Sequence, residues 1–295
     1  MIYRPPRASG ILFGLVLTSW ALLFVGLLVF RALTLPASLA AFLCWSVAGL
    51  LALLALVFAH WTYAVASLCY IVDRNALAIQ WGGMRQLVPL TAIERLIPGR
   101  NVDEPAVRGI NAPGIHVGRA VVERAGETLF YSTHRHPDQL LYVVTPGRSY
   151  GLTIGDPAGF AQTIQDRQGQ GTWAPRQAPW RSSFASLGFW FDPWTWTLIL
   201  PAVAAALTLA AYVFWRFPGL PESMEISFPP LGDIIRVASR REVLQIPTTA
   251  LAILGINVAV GLALYRLERM AAYLLWGSAI PIQALFGAAA VIALR

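Results

Sequence analysis

Residues 70–96 read YIVDRNALAIQWGGMRQLVPLTAIERL, and the fold turns on them. Leu68–Val72 reads as a strand, Asp73-Arg74-Asn75 as a tight turn, and Ala76–Trp81 as a second, alternating strand that ends at Gly82-Gly83. A glycine pair between alternating runs is a hairpin signal, because both positions tolerate the positive φ that two-residue hairpin turns require. Met84–Leu90 is the third strand, with Pro89 near its end marking a sheet margin. Thr91-Ala92-Ile93-Glu94 then has the spacing of a capping box, which predicts a short helical turn. This β unit follows almost directly on two long apolar runs, so it belongs beside a membrane.

Composition agrees. The chain is 57% hydrophobic and 13% charged, against about 25% charged in an average soluble domain. Five segments are long and apolar enough to span a bilayer: Ile11–Phe30, Ser38–Ala59, Trp194–Trp215, Ile246–Tyr265 and Ala271–Leu294. Pro201, Pro247 and Pro281 lie within or at the ends of these segments, where neighbouring helices satisfy the freed carbonyls. The first run is too long for a cleaved signal core and a second span follows at once, so it reads as an anchor.

All 22 basic residues are Arg. Arg4, Arg7, Arg266 and Arg269 fall on one side of a five-span chain, and the positive-inside rule makes that side cytoplasmic. Arg31, Arg216, Arg236, Arg240, Arg241 and Arg295 fall on the other, so the bias is mixed. The expected localisation is a multi-pass protein of the cell membrane with its soluble region in the cytoplasm. Cys44 and Cys69 form no CxxC and read as small buried residues rather than a disulfide framework.

Further strands are expected at Val117–Arg124, Glu127–Thr133, Gln139–Thr145 and Arg148–Ile154. A closing helix is expected over 156–167, with Asp156 as N-cap, Pro157 in the first turn, and Phe160 and Ile164 on one face against the sheet. The stretch 99–116, GRNVDEPAVRGINAPGIH, reads as a long irregular loop, and it and the exposed strand edges, which can bind an extended segment through main-chain hydrogen bonds, are the expected contact surfaces. The fold class is therefore an α+β membrane protein, in which an antiparallel β domain capped by a helix is inserted among about five transmembrane helices. The divisions are a two-helix anchor (1–63), the β domain (64–170), an aromatic interfacial linker (171–193) and a three-helix membrane module (194–295).

The start YIVDRNALAIQWG, the third strand and turn VPLTAIE, and the closing YGLTIGDPAGF resemble a membrane-anchored bacterial pleckstrin-homology-like domain protein. The last third is similar to a further membrane module that places Leu-Pro, then Phe after six residues, before a helical pair. Here these are Leu220-Pro221 and Phe228, and Ser227 stands where members often have His.

The eukaryotic relatives implied by that resemblance bind phosphoinositides through basic residues between the first two strands. Here that turn is Asp73-Arg74-Asn75, one cation against one anion, and the insert nets only +2, so a polybasic headgroup site is not expected. Nucleic acid is excluded as a partner for want of a basic stripe or motif. His134-Arg135-His136-Pro137-Asp138, with His116, supplies metal-type donors but reads as a solvated turn, and no cofactor is expected. His60 beside Trp61 and Tyr63 reads as interfacial. No catalytic motif occurs in a supporting context, and Asp103-Glu104 has nothing apolar nearby to split its pKa values. Asn257 and Gln283 read as interhelical hydrogen-bonding groups. Trp173, Trp180, Trp190, Trp194 and Trp196, with Phe184, Phe189 and Phe191, mark 172–196 as an interfacial linker, and Gly232–Leu244 reads as a helical piece.

The expected function is a non-enzymatic, membrane-anchored binding or assembly module that presents its β domain to a protein partner, a second copy or the membrane surface. The binding residues singled out are Arg108, Asn111 and His116, in the 99–116 stretch. The competing reading is a membrane enzyme or transporter with an interfacial site, metal-dependent through His134 and His136.

Overall fold

The computed structural model describes residues 1–102, 105–134, 136–169, 192–227 and 235–294. Among the described residues five helical stretches, adjoining 3-10 turns included, are long and apolar enough to cross a membrane, of 25 to 28 residues each. At 1.5 Å per residue, about 20 residues suffice for the hydrocarbon core. The chain divides into two compact units, one of residues 1–23 and 51–183 and one of residues 24–50 and 184–295.

The first unit joins the start of α1 (Ala8–Thr34) and the end of α2 (Leu39–Ala66) to the β domain. Its first sheet has the order β1-β2-β3-β4, with β1 Ile2–Tyr3, β2 Cys69–Val72, β3 Ala76–Trp81 and β4 Met84–Pro89. Trp81 faces Met84 across the turn, where Gly82 takes φ +59°. Its second sheet has the order β5-β9-β10-β8-β7-β6. These strands are β5 Arg95–Pro98, β6 Arg108–Ala112, β7 Ile115–Val122, β8 Gly126–Ser132, β9 Leu140–Val144 and β10 Ser149–Thr153. The helix α3 (Pro157–Gly169) closes the domain. Asp156 accepts from the Gly159 amide at 2.9 Å, the expected N-cap, and Phe160 and Ile164 are buried.

Two cores lie on the two faces of the second sheet. Leu141 and Val143 of β9 pack with Tyr70, Leu77, Ile79, Leu152 and Phe160 between the sheets. The alternate residues Leu140, Tyr142 and Val144 pack with Phe130, Ala120 and Ile97 on the far face, where Val102 and Val107 cover them. Period-two alternation makes both faces apolar, which explains why β9 reads as a continuous hydrophobic run.

Four local expectations change. The 99–116 stretch is not one irregular loop: a 3-10 turn at Gly99–Asn101 and the two valines serve the second core, and β6 begins at Arg108. Gly109 and Pro113-Gly114 had hidden the alternation. No capping box forms at Thr91, because the turn Leu90–Ala92 only redirects the chain into β5, a strand missed in the sequence. Gln168 ties this turn to α3, its side-chain amide donating to Leu90 O at 2.7 Å and to Ile93 O at 3.3 Å. The sheets are antiparallel except where β10 inserts beside β8 in parallel, Tyr150 facing Leu129. Tyr70 from the first sheet bridges that pair, donating to Tyr131 O at 2.7 Å and accepting from Thr153 N at 3.2 Å.

The N-terminal segment fastens the domain to its helices. Met1 and Val72 exchange both backbone hydrogen bonds at 2.9 Å, and the Tyr3 hydroxyl meets Thr163 Oγ1 at 2.7 Å. Arg7 donates to Ala66 O in the last turn of α2, where a cation also complements the helix dipole. A Cβ on Gly10 would strike Gly114 O, and one on Gly14 would strike Thr62 Oγ1.

The second unit includes α4 (Pro193–Arg216), α5 (Gln245–Leu264) and α6 (Arg269–Ala293). They pack through Ala202, Ala206, Ala250, Gly261, Ala272, Ala279 and Ala290, small residues that let apolar helices approach closely. Pro201 and Pro281 lie inside helices. Buried Gln283 donates to Ala250 O at 2.9 Å, an interhelical bond of the expected kind. The helical piece expected over 232–244 is instead the strand β12 (Ile235–Ser239), paired with β11 (Ser223–Ser227). Only the 3-10 turn Arg240–Leu244 is helical there, capped reciprocally by Ser239 and Glu242. The β-branched Ile235 and Val237 favour the strand.

Two substitutions of one kind should have opposite signs. In the full chain in detergent, Tyr70→Phe strands a buried acceptor and donor and should cost about 1–3 kcal/mol. Tyr142→Phe removes a buried hydroxyl that has no partner among the described residues, so it should be neutral or stabilising by about 1 kcal/mol. Burial pushes the Tyr142 phenol up to about 12. The buried phenol resists ionisation while the unfolded one ionises at about 10, so stability is unaffected below that value and falls as pH rises toward 12, and Tyr142→Phe should flatten that alkaline loss. Separately, Gly14→Ala should lower the melting temperature, and Thr62→Ala added to it should restore part of the loss.

Candidate functional site

The three binding residues expected from sequence all lie on the β6–β7 hairpin. Its turn is Pro113-Gly114, with Gly114 at φ +75°, which suits the third position of a type II turn. Asn111 stands opposite His116, and His116 Nδ1 lies 2.6 Å from Asn111 Oδ1. The amide oxygen can only accept, so the imidazole nitrogen donates. Arg108 stands opposite Arg119. Alternation puts the Asn111–His116 pair on one face of the hairpin and the Arg108–Arg119 pair on the other. The structure therefore brings two of the three residues together and separates the third.

The missed residue is Arg119, which only the register reveals. Both arginines are exposed, and neither has an ion pair among the described residues. Like charges directly opposite one another destabilise a strand pair, so this arrangement costs stability in isolation. Between the two pairs, Gly109 faces Gly118 so closely that a side chain on either would strike the other strand. The hairpin thus carries a step without side chains between a cationic pair and an amide–imidazole pair. At its tip, Ala112 and Ile115 line a small apolar crevice with Gly10, Phe13, Gly14, Phe58, Trp61, Thr62 and Val65 of the helix pair.

The other sequence candidates are scattered. Asp73 accepts from the Arg74 amide at 2.8 Å within its own turn. His134 is held below the usual imidazole range by burial and contacts Thr133 Oγ1 at 3.1 Å. His136 pairs with Asp138 at 3.5 Å, both exposed. Among the described residues no three His, Cys, Asp or Glu side chains gather as a metal group. Asp103-Glu104, Arg135 and the linker residues 170–191 lie outside the described residues.

A second polar cluster, unsuspected from the sequence, ties one end of the three-helix unit. Asp192 caps α4, accepting from Trp194 N and Thr195 Oγ1 at 3.1 Å, from Tyr265 at 3.0 Å and from the Tyr273 hydroxyl. Burial opposes its ionisation, but these hydrogen bonds outweigh it and hold the carboxyl below the usual range. Four donors leave the carboxylate satisfied, so the cluster fastens α4 to the turn between α5 and α6.

The first unit is thus a helix-anchored β domain with a closing helix and an exposed hairpin that carries two opposed arginines. Residues 68–168, about a third of the chain, match the family model described as Bacterial PH domain. That match spans β2 to α3, the Arg108–Arg119 hairpin included. Neither a curated protein nor a solved structure matches the chain.

Asp192→Ala should lower the melting temperature of the full chain. Adding Tyr265→Phe and Tyr273→Phe should lower it little further, because the three groups form one network. The Asp192 contribution is present above its unfolded value and lost as pH falls through the lowered one, so the difference between wild type and Asp192→Ala should shrink in acid.

Proposed function

We propose that the chain is a non-enzymatic, membrane-anchored binding or assembly module that presents its PH-like domain on the cytoplasmic face to a protein partner. The observation that carries this reading is the fastening of the domain to its own helix pair. Backbone pairing of Met1 with Val72, the Tyr3–Thr163 contact, the Arg7 bond to Ala66 and the close approach of Gly10 to Gly114 all join helix ends to the sandwich. A domain so fixed keeps one set of surfaces directed away from the bilayer, which suits presentation to another protein. The exposed hairpin bearing Arg108, Asn111 and His116 is the surface proposed for contact. Arg4 and Arg7 beside α1, with Arg266 and Arg269 between α5 and α6, support the cytoplasmic side through the positive-inside rule.

A photo-crosslinking amino acid at Asn111 of the full chain in native membranes tests this. Protein adducts at Asn111, absent from a probe at exposed Asp166 on α3, are expected; equal adducts at both sites, or lipid adducts alone, would contradict the hairpin as contact surface. Protease added to the periplasmic face of spheroplasts should spare residues 68–168, and their digestion would reverse the orientation.

A further inference from the structure

We infer that the free edge of β6 takes up an extended acidic segment of a protein partner as an added antiparallel strand. This rests on the binding-module reading and names its partner chemistry.

The edge follows from topology. The exposed ends of the two sheets are β1, β4, β5 and β6. β1 has only two residues, and β4 and β5 end in Pro89 and Pro98. Proline and short length are the usual means of blocking an edge. β6, Arg108–Ala112, contains no proline. A two-residue turn makes Ala112 and Ile115 a hydrogen-bonded pair, so Ile110–Val117 and Arg108–Arg119 follow as hydrogen-bonded pairs. Gly109 and Asn111 then fall at the intervening positions, where their backbone N–H and C=O groups point outward from the sheet. Gly109, without a side chain and exposed, leaves that edge open to another backbone.

Charge selects the occupant. A strand laid along Gly109–Asn111 places alternate side chains on the face that carries Arg108 and Arg119. Their directly opposed guanidinium groups have no carboxylate partner among the described residues, and each presents donors in a fork that fits a carboxylate. An incoming Glu or Asp on that face relieves the like-charge pair, while a basic or neutral segment does not. Main-chain hydrogen bonds supply the attachment and the arginines supply the preference.

The experiment uses the full chain in nanodiscs and a fluorescent peptide, Thr-Val-Glu-Val-Glu-Val-Thr, followed by anisotropy. Saturable binding is expected, weakened at least tenfold by the double variant Arg108→Gln/Arg119→Gln, by raised salt, or by Gln in place of Glu in the peptide. Asn111→Pro, which removes an outward N–H and no backbone hydrogen bond of the hairpin, should weaken it as much, whereas Asn111→Ala, which removes only the same side-chain bond to His116, should not. Because a variant can misfold, the peptide is also N-methylated on each alternating set of residues. One set should abolish binding and the other should leave it, with the protein unchanged throughout. Absence of wild-type binding overturns the inference. So does equal binding of both methylated peptides, which would mean ionic attraction without strand addition. A dimer that dissociates on Asn111→Pro overturns it as well, by assigning the edge to a second copy. A failed peptide experiment beside specific Asn111 photo-adducts would leave the binding-module reading standing.

Discussion

Everything else in the first unit depends on a constraint at its N-terminal end: the strand that precedes α1 must pair with the strand that follows α2. Ile2 faces Ile71 and Tyr3 faces Tyr70, so the two helix ends they flank emerge at one place. Two antiparallel spans satisfy this. The pairing also gives the sandwich an extra strand beyond the matched segment and places Tyr3 against Phe160 of the closing helix, ring centroids 5.0 Å apart. Besides its chain connections to α2 and α4, the domain is held at β1, at Arg7 and at the Gly10–Gly114 contact.

That fastening shapes what the hairpin can do. β6 and β7 run from a tip packed on the helix pair toward the exposed Arg108–Arg119 rung, four residues along each strand and so about 13 Å away. The glycine pair between them lets the strands approach closely. The stability lost to the opposed charges is small beside the two cores, and a contact surface tolerates such local strain when a partner relieves it.

Much of the architecture was legible because it rests on signals that do not need tertiary context. Long apolar runs gave the five helices, Gly82-Gly83 the β3–β4 hairpin, and Asp156-Pro157 the start of the closing helix. What was not legible depended on partners distant in sequence. The strand Arg95–Pro98 is four residues long and shows no alternation until β9 lies beside it. Val102 and Val107 look like loop residues until the far face of the second sheet needs covering. Of the candidate site, the type and position of Arg108, Asn111 and His116 could be read. Their division between two faces, and the role of Arg119, required the register. The Asp192 knot joins residues more than 70 positions apart and left no local trace.

Amide hydrogen exchange of the full chain in nanodiscs tests the central claim most directly, through residues 1–7. If the N-terminal strand fastens the domain to the helix pair, the Tyr3 and Val72 amides, which the β1–β2 pairing holds, exchange as slowly as those of β3. Rapid exchange of both beside a protected β3 would show a domain that hangs free of its anchor, and would contradict the account.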